Sequence, residues 1–121
     1  MSAGPLADRA ARFAAAVAWL DEPAWAGRVS ALAGEVAPAP SRPTYRDLAT
    51  TGTALVAALA DEGRWPEAAE QARDLKRLFG ATPDELGPIV IDAFDGLLAA
   101  AIARDREDLQ DFVELVEALF P

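Results

Sequence analysis

Apolar residues recur along this chain at spacings of three and four, the period of a helix with one buried face. Leu6, Ala10, Phe13, Val17 and Leu20 make the first such stripe and predict a helix from about Leu6 to Leu20. Asp21-Glu22-Pro23 interrupts it. Pro23 disfavours helical backbone at Glu22 and suits the first turn of a second helix, whose stripe is Trp25, Val29, Leu32 and Val36. Pro38, Pro40 and Pro43, with Ser41, form a short extended linker. A third helix is expected near Thr44, an N-cap with Asp47 three residues on, with Tyr45, Leu48, Leu55, Val56 and Leu59 as its apolar face. Gly52 either weakens that helix or marks close packing, and Gly63 ends it. The fourth helix runs from Trp65 or Pro66 to Phe79, with Ala68, Ala72, Leu75 and Phe79 inward and Gly80 as a left-handed stop.

Thr82-Pro83-Asp84-Glu85 reads as a capping box opening a fifth helix. From Ile89 to Ile102 that helix is apolar on most sides, as a helix buried between neighbours would be. Asp105 caps a sixth, with Leu109, Phe112, Val113, Val116 and Phe120 inward. Six helices without strand-like alternation predict an all-α fold and one domain over residues 1–121. Its arrangement is three stacked antiparallel hairpins at about 5–37, 44–80 and 82–120, or else a compact helical bundle.

An internal repeat favours the hairpins. Trp19-Leu20-Asp21-Glu22-Pro23-Ala24-Trp25 aligns with Leu59-Ala60-Asp61-Glu62-Gly63-Arg64-Trp65 at an offset of 40 residues. Each copy ends one helix, turns at an acidic pair and opens the next helix with Trp. Ala103-Arg104-Asp105-Arg106 holds the corresponding place in a third unit, without the Trp. The middle unit resembles a tetratricopeptide repeat, a helical hairpin of about 34 residues. Gly63 matches that family's turn glycine, Trp65 the aromatic two places on, and Ala68 the small residue where the helices cross; the match is best over residues 52–80. Val56 departs from the pattern, standing where the family has a small residue, and Pro23 replaces the glycine in the first unit. The resemblance implies a groove lined by the first helix of each pair. One short hairpin cannot bury its own stripe, and about three units make a continuous core.

Composition narrows the chemistry. The chain has 121 residues, no Cys, no His and one Lys, Lys76. Thiolate chemistry is absent, and so are the commonest general base and metal ligand. A Cys-free chain suits a cytoplasmic setting, and abundant Ala and Arg beside a single Lys suit a GC-rich bacterial genome. The net charge of −9 opposes binding to nucleic acid or to an anionic membrane surface, and residues 81–121 carry −8 of it. The apolar run from Phe13 to Leu20, after Arg9 and Arg12, resembles a signal peptide. Its short length and Asp8 upstream favour an amphipathic core helix instead. Neither a phosphate loop nor a metalloprotease helix nor a nucleophile elbow is present, so no enzymatic activity and no cofactor are expected.

The candidate sites are surfaces. Asp92 and Asp95, three apart on one helical face, would line a groove and receive basic groups; buried together they would instead share a proton or bind a divalent ion. Asp105, Glu107, Asp108, Asp111, Glu114 and Glu117 make an acidic outer face, either merely solvated or a docking surface for a basic protein. Arg73, Lys76 and Arg77 would meet that face in a homodimer. Trp25 and Trp65 fit a structural role at the turns, whereas Trp19 suits a partner contact if exposed. The resulting expectation is a non-enzymatic protein–protein interaction module, an adaptor or regulator, binding a protein or peptide. The alternative is a carrier holding a small apolar ligand beside Phe94, Leu97 and Leu98.

Overall fold

The first stripe folds as expected but stops sooner. In the computed structural model, which describes residues 5–34, 36–80, 88, 91, 92 and 95, α1 spans Pro5–Val17 and buries Leu6, Ala10, Phe13, Ala14, Ala16 and Val17. Its end tightens into three-residue turns, Trp19 N–H to Ala16 O and Leu20 N–H to Val17 O, so Leu20 lies beyond the helix. Helix α2 (Pro23–Ala33) has Pro23 at its first position, where a missing N–H costs nothing. It ends before Val36 because Gly34 takes φ 81°. Val36 still packs against the core from outside the helix.

Helix α3 (Tyr45–Asp61) starts with a reciprocal cap: Asp47 N–H donates to Thr44 Oγ1 at 3.1 Å, and Thr44 N–H donates to Asp47 Oδ2 at 3.1 Å. It stops in a Schellman turn. Arg64 N–H reaches Leu59 O, Gly63 N–H reaches Ala60 O, and Gly63 sits at φ 77°. Helix α4 (Trp65–Gly80) follows at once. Gly80 is its last helical residue and is not left-handed, so the expected stop is not made there; a Cβ at Gly80 would lie 3.8 Å from Ile91 Cδ1, in ordinary contact. Pro88, Ile91, Asp92 and Asp95 are also helical. The described part of the chain is therefore all-α, with no strand among the described residues. No helix among them is long and apolar enough to cross a membrane.

Helix α1 packs on α2 and α3, and α3 packs on α4. The core centres on Phe13, Trp25, Leu48, Leu55, Leu59, Leu75 and Phe79. Phe13 and Trp25 meet at 5.3 Å between ring centroids with a 48° tilt, inside the range in which aromatic pairs attract. Gly52 marks close packing: a Cβ there would lie 2.6 Å from Leu75 Cδ2 and 3.1 Å from Phe13 Cε1. The Pro-rich linker is pinned to α1 through Ala39 N–H to Ala15 O.

Candidate functional site

Helices α2 and α4 run in opposite directions and are joined by side chains. Glu22 meets Arg77, Trp25 meets Gln71, and Arg28 meets Glu70 and Asp74. Arg77 donates twice to Glu22, at 2.9 and 2.8 Å, and once to Asp74 at 3.2 Å. Its guanidinium also stands 6.0 Å from the Trp25 ring centre, within cation–π reach. The hydrogen bonds from Arg77 hold the Glu22 carboxyl below its ordinary value, and the same bonds hold Arg77 above its own. The N-terminal end of α2 is thus fastened to the C-terminal half of α4.

Toward the other end the two helices leave a cleft of about 280 Å³. Its floor is aliphatic: Val29 and Leu32 from α2, Leu55 and Leu59 from α3. Its rim carries Arg28, Arg64, Glu67 and Glu70. These charges are matched within the chain. Arg64 grips Glu67 with two bonds, at 2.7 and 2.6 Å, which hold Arg64 above its ordinary pKa, and Arg28 pairs with Glu70 at 3.3 Å. The resemblance implied a groove along the first helices of each pair; this cleft instead lies between α2 and α4, with α3 beneath.

Gln71 also lines the cleft and is 5% exposed. Trp25 Nε1–H donates to its Oε1 at 2.7 Å. An indole nitrogen only donates, so the oxygen must face Trp25 and the amide nitrogen is the other end. That nitrogen is buried and has no acceptor among the described residues. A buried donor left unmatched costs about 1–3 kcal/mol, so its presence calls for an explanation. The sequence carries a signal for Gln71 in its position alone: it lies three residues after Ala68 and four before Leu75, on the apolar stripe of α4.

The predicted site residues fall elsewhere. Asp92 and Asp95 are exposed, which removes the burial that a shared proton requires, and Asp95 pairs with Lys76. Among the described residues no cluster of three or more acidic side chains is gathered to hold a metal. Glu107, Asp111 and Glu114 lie outside the described residues, as do Phe94, Leu97 and Leu98 beside which the apolar ligand was expected. Trp19 is 38% exposed, but its indole N–H donates to Ala39 O at 3.0 Å, so its polar handle is used by the chain's own linker. With Tyr45 it edges a second cleft of about 260 Å³ that includes Arg42 and Pro43. Trp25 and Trp65 are buried. Lys76 and Arg77 are paired within the chain, which leaves Arg73 as the member of that cluster without an ion pair among the described residues. No protein-family model matches the chain, and neither a curated protein nor a solved structure matches it.

Proposed function

We propose that this chain is a protein–protein interaction module, built as three stacked helical hairpins of the tetratricopeptide kind, that docks a segment of a partner polypeptide in the α2–α3–α4 cleft. The observation that carries the reading is the cleft itself, an aliphatic floor inside a charge-matched rim. At about 280 Å³ the cleft stands at the lower edge of the range for small-molecule sites. It suits one or two anchoring side chains of a larger partner, the form that binding energy takes at protein interfaces. The tetratricopeptide part of the reading draws on the Schellman turn at Gly63 and on Ala68, which is fully buried.

Selection of a random peptide display library against the folded chain tests this. Enriched peptides are expected to share an aliphatic anchor and to lose binding to Ala31→Trp. Ala31 is an exposed rim residue of α2, and an indole there fills the cleft without disturbing the core. Peptides that bind the Ala31→Trp variant as well as the parent would overturn the assignment to this cleft, and failure to enrich any peptide would overturn the module itself.

A further inference from the structure

Resting on that docking reading, we propose that Gln71 recognises the partner's main chain: a leucine-sized side chain seats on Val29, Leu32, Leu55 and Leu59 while an uncharged carbonyl beside it accepts from Gln71 Nε2. Three observations converge on this. The floor is wholly aliphatic, so it selects an aliphatic anchor. Gln71 lines the cleft and its buried amide nitrogen has no acceptor among the described residues, because Trp25 already holds the other end of the carboxamide. Both rim arginines are matched by Glu70 and Glu67, so among the described residues a carboxylate arriving at the cleft finds no free cation and meets two like charges, whereas a neutral amide carbonyl meets no such opposition. Aliphatic side chain and neutral carbonyl together are the unit that every leucine of a polypeptide offers. Trp25 serves as the positioning residue: its N–H fixes which way the carboxamide points.

The chain has only two carboxamide side chains, Gln71 and Gln110, which makes the contact directly visible. In amide correlation spectra of the isotope-labelled full chain, the side-chain NH₂ region holds two pairs of signals, and Gln110→Glu assigns them. The probes are three small compounds: N-acetyl-leucine methylamide, N-acetyl-glycine methylamide and 4-methylpentanoate. The leucine compound is expected to move the Gln71 NH₂ pair together with the backbone signals of Leu32 and Leu59, with millimolar affinity, as befits a fragment of this size. The glycine compound lacks the anchor and the pentanoate carries a charge, and each is expected to bind about tenfold more weakly or worse. Gln71→Glu keeps an oxygen for Trp25 and removes the donor, and is expected to weaken the leucine compound by about the same factor; Ala31→Trp is expected to abolish the shifts, and it serves if the glutamate variant does not fold. Movement of Leu32 and Leu59 without movement of the Gln71 pair overturns the carbonyl contact while leaving the docking cleft standing. Equal binding of the pentanoate overturns the preference for a neutral acceptor. A cleft that responds to none of the three overturns both readings.

Discussion

At the scale of single residues, space and backbone conformation make opposite demands on two glycines. Gly52 lies in the middle of α3, where Ala would ordinarily gain about 1 kcal/mol in helix propensity. Its neighbours oppose the exchange, because a Cβ would stand 2.6 Å from Leu75 Cδ2 and 3.0 Å from Cδ1. Leu75 is fully buried, so its methyls can yield only by repacking the core around them. Overpacking of this kind costs about 1–3 kcal/mol, so Gly52→Ala is expected to be destabilising despite the better helix former. At roughly 4 °C per kcal/mol for a chain of this length, thermal unfolding followed by circular dichroism should show a drop of several degrees; an unchanged or higher midpoint would mean that α1, α3 and α4 do not meet at Gly52. Gly63 is the reverse case. Nothing lies within 4 Å of its virtual Cβ, yet φ is 77°. The cost of Gly63→Ala is therefore conformational, about 1–2 kcal/mol, and Asn, which tolerates the left-handed region, should recover part of it in urea unfolding. Equal losses for Ala and Asn would point to a packing role instead.

At the scale of elements, what was legible in the sequence was what is decided locally. The Thr44–Asp47 cap involves two side chains three residues apart, and a pair at that spacing reads directly as a helix start. The Gly63 stop and the Pro23 start are of the same kind, since each depends on the backbone freedom of one residue. The ends that the stripe pattern overran, Leu20 and Val36, show why periodicity alone is weaker: both side chains pack against the core from outside a helix, and apolar spacing does not distinguish the two cases. The cleft was hidden for a different reason. It depends on how α2 and α4 diverge, and that is fixed by contacts 46 to 55 positions apart, Trp25 to Gln71 and Glu22 to Arg77. Gln71 carries no local mark of its role, because its partner Trp25 is remote in sequence. Asp92 and Asp95 drew attention through spacing alone, and spacing places two carboxylates on one face without saying whether that face is buried.

At the scale of the whole molecule, charge is arranged so that the first two thirds of the chain are nearly neutral and the remaining acidity lies in residues 81–121. Within the neutral part, Glu22, Arg77, Asp74, Arg28 and Glu70 form one chain of alternating sign between α2 and α4. These groups are largely exposed, so their worth is small and falls with added salt. They do impose a direction on the pH dependence. Hydrogen bonds from Arg77 lower the folded-state pKa of Glu22, so the folded state favours the ionised carboxylate more than the unfolded state does. Its contribution is present at neutral pH and disappears as the pH falls below the ordinary glutamate value of about 4.3 and through the lowered one. Acid destabilises such an acidic chain through many carboxylates at once, but those other groups cancel when the parent is compared with Glu22→Gln. Urea unfolding of the two proteins is expected to show the parent ahead at pH 7 in low salt, with the difference shrinking on added salt and vanishing once the pH has fallen through the lowered Glu22 value. A difference that persists unchanged in acid, where the Glu22 carboxyl is protonated in both states, would mean that the glutamine variant loses packing rather than charge, and that α2 is held on α4 by Trp25 and Gln71 without help from the ion pairs.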